Sequence, residues 1–340
     1  MVTVGVLVVI CVGAVLTWRW ISIVCMATVL IWAFLLLVIP ESPAQHIANK
    51  KYREARESLE WLRSTIYIES ELEDIQREVE ESMATPANFK DLLKKQNLAP
   101  LIISMYLMLG QQLCGINAVI FYVVDIFSAA GSSIPASIES IIVGLMQVGS
   151  TILGALVMDK LGRRALLLFS SLLMVLSIST LGAYFYIKQN LDNHDLATRI
   201  QAVPVVSLSI FIIAFSVGFG PIPWLMMSEL FSPSVRGMAS SLATLFNWTL
   251  AFCVTKFFAD LVAAISESYS FWVFGGITFF TFLFSLLFVP ETKGKTLENI
   301  QALFRSNRPY FLEISVWKKC ARSGDSDTQV LVQADDTQHY

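Results

Sequence analysis

Gly110-Gln-Gln-Leu-Cys-Gly-Ile-Asn-Ala-Val-Ile-Phe-Tyr122 decides how the rest of the chain is read. It lies in an apolar run over about 98–127, long enough to cross a bilayer. Gln111, Gln112 and Asn117 place three carboxamides at membrane depth, and Gly110 and Gly115 interrupt the helical pattern around them. An amide both donates and accepts hydrogen bonds, which suits a neutral, hydroxyl-rich solute. Polar groups left bare in hydrocarbon are costly, so these side chains must face protein or a water-filled cavity. Amides also tie one span to the next, and a lone Asn would be read that way. Three of them around a glycine break favour a solute site.

The composition agrees with a membrane setting. Of 340 residues, 55% are hydrophobic and 15% charged, with a mean hydropathy of +0.63; soluble domains carry about 25% charged residues. The sequence is that of an all-α polytopic membrane protein, with eight candidate helical spans at about 1–17, 20–39, 98–128, 137–158, 165–187, 203–228, 236–263 and 270–289. Apolar runs of this length exclude a β-barrel, whose strands alternate over about 10 residues. The segment 1–16 lacks a basic flank and is followed at once by another span, unlike a signal peptide.

Lysine and arginine fix the expected orientation. Segment 40–97 holds nine of the 24 basic residues, Asp159–Arg164 three and the stretch after Pro290 seven, whereas Arg19, Lys188 and Arg199 occupy the opposite side. Segment 40–97 and both termini are therefore expected in the cytoplasm. Four of the five cysteines are intramembrane and Cys320 is in the tail, a distribution with no disulfide framework or metal spacing. His46, His194 and His339 fall in loops or the tail, so nothing converges as an enzyme site would require. The Asn247-Trp-Thr249 sequon lies within a span and is discounted as a glycosylation site.

Domains follow from these boundaries: 1–39 carries two spans and 40–97 a charged linker, while 98–289 forms a six-helix bundle and 290–340 a polar tail. In the linker, Tyr52–Arg63 places Ala55, Leu59 and Leu62 on one side, and Glu71–Met83 spaces Leu72, Ile75 and Val79 helically. A solvated charged linker fits 64–90 equally well. The tail beyond 304 reads as disordered.

Pro40-Glu-Ser42 closes one span and Pro290-Glu-Thr292 another six spans later, which suggests a repeat of six-helix halves. Within the second half, the first span carries the glycine-broken amide stretch. The fourth carries Gly218-Phe-Gly-Pro-Ile-Pro-Trp224. Interrupted helices in matching positions point to a transporter's binding site. Gly115, Gly220, Pro221 and Pro223 are the helix breaks, and Trp224 offers a flat face beside them. Asp159-Lys-Leu-Gly-Arg-Arg164, Glu229, Arg236, Glu41 and Glu291 cluster at span ends, as an ion-pair latch on the inner face would require. Positive-inside sorting alone explains the arginines but not the repeated acids. The spans lack a midplane acid or base, which favours transport down a gradient over proton coupling.

These motifs resemble, in order and spacing, the signatures of the sugar porter family of the major facilitator superfamily: Gln111-Gln-Leu-Cys-Gly-Ile-Asn117 with Phe121-Tyr122, Asp159–Arg164, Gly218–Trp224 and Pro290-Glu-Thr-Lys-Gly294. The similarity runs from residue 1 to about 304, and Ala118–Tyr122, Pro221–Met227 and Phe246–Thr249 look most like the family's facilitated trehalose transporters and nearby hexose facilitators. The resemblance implies a major facilitator fold represented by the last eight of twelve helices. It also implies sugar contacts from Gln111, Gln112, Asn117, Gln147, Trp224 and Asn247, and inner-gate ion pairs from Glu41, Asp159, Arg163, Arg164, Glu229 and Arg236. The implied activity is facilitative uniport of trehalose or a hexose, in the plasma membrane, with the bilayer as surroundings and neither cofactor nor nucleic acid. A proton-coupled symporter and a transport-inactive partner of a longer transporter are the alternatives. The family's Pro-Glu-Ser-Pro-Arg reads Pro40-Glu-Ser-Pro-Ala44 here, and Gln147 and Ala251 stand where hexose transporters often have Asn. Without the four upstream helices, the amide face of the broken span is expected to meet lipid or a poorly matched neighbour.

Overall fold

The computed structural model describes residues 2–64, 68–84, 89–130, 135–190, 200 and 202–305. Cys320, His194, His339, Arg199 and the tail beyond 305 lie outside the described residues. The described chain is helical from end to end, in the order α1 (Val2–Val15), α2 (Trp18–Leu36), α3 (Pro43–Ala48), α4 (Tyr52–Arg63), α5 (Glu69–Ala84), α6 (Phe89–Leu92), α7 (Lys95–Leu113), α8 (Ile116–Phe121), α9 (Val123–Ala130), α10 (Ala136–Leu161), α11 (Arg163–Asn190), α12 (Ala202–Ala214), a π-helical turn (Phe215–Phe219), α13 (Ile222–Leu230), α14 (Pro233–Phe288) and α15 (Leu297–Arg305).

Among the described residues, six helices are long and apolar enough to cross a membrane: Trp18–Leu36, Gln96–Phe121, Ser140–Leu161, Arg163–Gln189, Ala202–Leu230 and Pro233–Phe288. The apolar α1 is shorter, at 14 residues. The 56 residues of α14 would make a straight rod of about 84 Å, far longer than a hydrocarbon core of about 30 Å. Ser266, at φ 75° and ψ 166°, breaks it where the sequence separates spans 236–263 and 270–289.

The buried core runs from Leu92 to Phe304, while α1 and α2 contribute no buried residue to it. The hairpin touches this core through α1 against α10, where Leu7 fits over Gly144. Inside the core α7 and α11 both pack on α14. Hydrocarbon gives helices little reason to associate, so close approach through small residues has to supply the attraction. At Gly110 a Cβ would stand 2.3 Å from Thr281, and Thr278, Thr281 and Ser285 line the same buried face of α14. At Gly154 it would stand 2.7 Å from the Val217 carbonyl, so α10 lies directly against the π-helical turn.

The linker is helical where its sequence pattern says, with one residue of the inward face left exposed. Ala55 and Leu59 are buried, but Leu62 is 53% exposed. Ser58 is buried beside Ala55 and Leu59, and its hydroxyl donates to the Glu41 carbonyl at 2.5 Å; Leu62 lies a turn further on, at the end of the helix. In α5, Leu72, Ile75 and Val79 are half-buried. The sequence reading passes over α3, although its signal is local: Ser42 caps Gln45 N–H at 3.2 Å and Pro43 follows at the first helical position.

Candidate functional site

Gly115 ends α7's run of hydrogen bonds by adopting φ +88°, a left-handed conformation that costs other residues about 1–2 kcal/mol. A side chain there would also press on Phe274 at 2.8 Å. The second break is chemical. Pro221 and Pro223 have no N–H, so the carbonyls one turn earlier lose their helical donors. The chain widens into the π-helical turn, where Gly220 N–H reaches Phe215 O at 2.7 Å.

Four amides connect the breaks. Asn117 Nδ2 donates to Gln112 Oε1 at 2.5 Å. Gln112 Nε2 donates to Asn247 Oδ1 at 2.8 Å, and Asn247 Nδ2 donates to Gln111 Oε1 at 2.9 Å. Gln111 Nε2 ends the series on Phe219 O at 3.0 Å and Gly220 O at 2.7 Å. Exposure is 3% for Gln111, 7% for Gln112 and 1% for Asn247; Asn117, nearest Tyr122, is half-buried. The expectation that this face meets lipid is therefore overturned, because the amides satisfy one another inside the bundle. Burial of Asn247 also keeps its sequon out of reach.

Trp224 is half-buried against the small cluster of Met108, Met227 and Ala243, beside Phe246. Met108 is a member that sequence reasoning missed; its sulfur accepts from Asn247 Nδ2 at 3.2 Å. Gln147 is half-buried on α10 and its carbonyl accepts from Thr151 at 2.7 Å.

At the other end of these helices, the expected latch residues divide into three groups. Arg163 pairs with Glu229 at 3.2 Å and with the exposed Asp159 at 3.5 Å. Glu291 makes a different contact from the ion pair expected of it. Its carboxylate accepts backbone N–H groups from Arg163 (2.9 Å) and Arg164 (3.1 Å), and from Thr292 and Lys293 (both 3.1 Å). It caps α11 from outside, where the helix dipole favours a negative charge. Gly162, at φ +90°, allows this, since a Cβ would stand 2.7 Å from Glu291 Oε2. Lys293 Nζ returns to the Lys160 carbonyl at 2.7 Å, and burial lowers the pKa of Lys295 while Glu291 opposes that shift. Arg236 donates to the Phe231 carbonyl at 3.4 Å, and Glu41 is exposed. Arg164 Nη2 donates to Leu286 O at 2.5 Å, whereas its Nε and Glu229 Oε2 are buried without a partner.

The sequence profile described as "Sugar (and other) transporter" matches residues 1–304. The chain belongs to the sugar porter family of the major facilitator superfamily. It is 42% identical over 303 residues to the facilitated trehalose transporter Tret1 of Apis mellifera ligustica, covering 88% of this chain and 60% of that protein. Against Tret1 of Bombyx mori it is 43% identical over 299 residues, covering 87% and 59%. It therefore spans about 60% of the length of these curated relatives. The fold matches the proton:xylose symporter XylE bound to 6-bromo-6-deoxy-D-glucose, at TM-score 0.68 and 29% identity over 85% of this chain and 59% of that one. An inward-open conformation of XylE from E. coli matches at TM-score 0.68 and 26% identity over 88% and 63%. The molecule is thus an all-α, multi-pass membrane protein of the major facilitator fold, from a family of transporters and not of enzymes.

Proposed function

We propose that the chain supplies the sugar-binding bundle and inner gate of a facilitative sugar transporter, with trehalose or a hexose as substrate. The observation that carries this reading is the run of uncharged amides between two broken helices, deep among apolar spans. Such groups can replace a sugar's hydration shell without placing charge in the membrane. Gln111, Gln112, Asn117, Asn247, Gln147 and Trp224 are the proposed sugar contacts. The eight crossings of this reading come from α1, α2, the four single-span helices between 95 and 230, and the two arms of α14. Segment 40–97 and both termini lie in the cytoplasm of a cell whose plasma membrane carries the protein.

The bundle formed by 98–289 would rock against the bundle to which 1–39 belongs, with Arg163, Asp159, Glu229 and the Glu291-capped helix end closing the inner face. Buried but unpartnered Arg164 Nε and Glu229 Oε2 support a latch whose contacts change with conformation, since such groups are destabilising until paired. Uptake of labelled trehalose and glucose tests the proposal. It is measured for the 340-residue chain and for a version preceded by four family-type spans, normalised to surface protein. Saturable uptake by the extended version supports the reading; no saturable uptake by either refutes it. Uptake confined to the extended version assigns the shorter chain a part in a larger assembly.

A further inference from the structure

We propose that the groove on the second arm of α14 (267–288), beside the end of α11, binds a sterol from the surrounding membrane. The proposal does not depend on the sugar site. Tyr269, Trp272, Val273 and Gly276 fall on one face of that arm, followed a turn later by Phe280, and all five are exposed. With Ile265 across the break, Tyr269, Trp272 and Val273 line a groove of about 570 Å³ that is open on one side. Small-molecule sites usually enclose about 300–1,000 Å³. From Tyr269 to Phe280 the face rises about 16 Å, half of a hydrocarbon core of about 30 Å. Its occupant is thus a lipid of one leaflet.

The floor, the walls and the rim of the groove select a sterol over a fatty-acyl chain. The floor is bare at Gly276, where an added Cβ would meet nothing within 4 Å, so a rigid ring system can lie flat on the helix. The walls are aromatic: the Trp272 ring centroid lies 5.7 Å from that of Tyr269 and 5.5 Å from that of Tyr186 on α11. Trp272 is also fixed in place. Its indole N–H donates to the Ser179 carbonyl at 3.2 Å, and a Cβ on Gly182 would stand 2.6 Å from its ring. A tryptophan that merely anchors a span turns its N–H to the headgroups. This one turns it into the protein and leaves its ring as a wall.

The rim is polar. Gln189 Nε2 donates to the Glu267 carboxylate, and the Ser268 hydroxyl donates to Gln189 Oε1 at 3.4 Å. A carboxylate accepts several donors, so Glu267 can also take the hydroxyl of a sterol, the one polar group such a lipid has. Leu181, Tyr186 and Lys188 on α11 follow the loose leucine–tyrosine–basic order associated with sterol contact. That order alone is unspecific; what gives it content is Tyr186 lying against Trp272. Lys188 also suits a lipid phosphate, which makes phospholipid the occupant to be excluded by experiment.

The test photolabels the 340-residue chain in phosphatidylcholine nanodiscs with a diazirine-bearing cholesterol analogue and maps the labelled residues by mass spectrometry. Label is expected to concentrate on 265–280 and on Tyr186, and to be displaced by excess cholesterol but not by phosphatidylserine. Cholesterol methyl ether, which has no O–H to donate, should compete less well than cholesterol. Gly276→Leu fills the floor without meeting other protein atoms, so labelling there should fall about fivefold while the protein melts no lower than the wild type. Tyr186→Ala, on the other helix, should weaken labelling in the same way and decides the matter if the first variant does not insert. Label spread evenly over the lipid-facing helices, or unchanged in both variants, overturns the proposal. So does displacement by phosphatidylserine in place of cholesterol, which would mark a phospholipid site. Equal competition by the methyl ether would overturn the contact with Glu267.

Discussion

Replacing Glu291 with alanine removes the acceptor of four backbone N–H groups at once, and its cost can be worked from their surroundings. Hydrogen bonds to a charged group contribute about 1.5–3 kcal/mol each. Lys293 is exposed, so water can serve its N–H, and the Thr292 bond closes within one loop. The two that matter join Arg163 N and Arg164 N, at the half-buried start of a 28-residue helix, to a residue more than 120 positions away. Two such bonds, discounted for partial access of water, come to about 2–4 kcal/mol. Glu291→Gln keeps an acceptor and loses the charge, costing about 1 kcal/mol. Thermal unfolding of detergent-solubilised protein should therefore rank wild type above Gln above Ala. The Ala variant is expected to melt about 5–10 °C lower. An Ala variant melting with the wild type, or a Gln variant as weak as Ala, would refute the capping argument.

Other perturbations have expected outcomes of the same kind. Gly162→Ala forces a side chain into left-handed backbone and against Glu291, so it should destabilise in the same melting assay and show little additivity with Glu291→Ala. Gln112→Leu should weaken sugar binding by about 1–3 kcal/mol, with surface expression nearly unchanged; unaltered uptake kinetics would reduce that amide to a tie between helices. Sugar flux should follow its gradient and be insensitive to a protonophore, and accumulation abolished by the protonophore would contradict this. The Arg63 guanidinium holds Glu71 below the ordinary carboxylate value, so the contribution of that linker pair is present above the unfolded pKa and lost as pH falls through the folded one. Protection of the amides in 63–64 and 68–71, taken relative to their intrinsic exchange rates, should therefore fall in acid and stay flat between pH 6 and 8.

What the sequence discloses depends on whether a residue's effect is local. Pro223 lacks an N–H in any context, and Gly115 and Gly162 tolerate positive φ in any context, so the breaks and the bend can be read directly. The partner that answers Pro223 cannot, because Gln111 lies 108 positions from Phe219 and only packing brings them together. Glu291 looks like another gate acid by composition. Its cap on α11 becomes visible only when the end of α14 is seen beside Gly162. Leu62 shows the converse error: helical spacing assigns it inward with Ala55, Ser58 and Leu59, but it is the penultimate residue of its helix and stands exposed.

The amide series between the two helix breaks has an electrical consequence. Moving one elementary charge through the membrane potential involves about 2.3 kcal/mol per 100 mV. Asn117, Gln112, Asn247 and Gln111 are neutral whichever way they point. A site rebuilt from them on each turnover carries no gating charge of its own. A cell that depolarises and one that hyperpolarises would present these four residues with the same work.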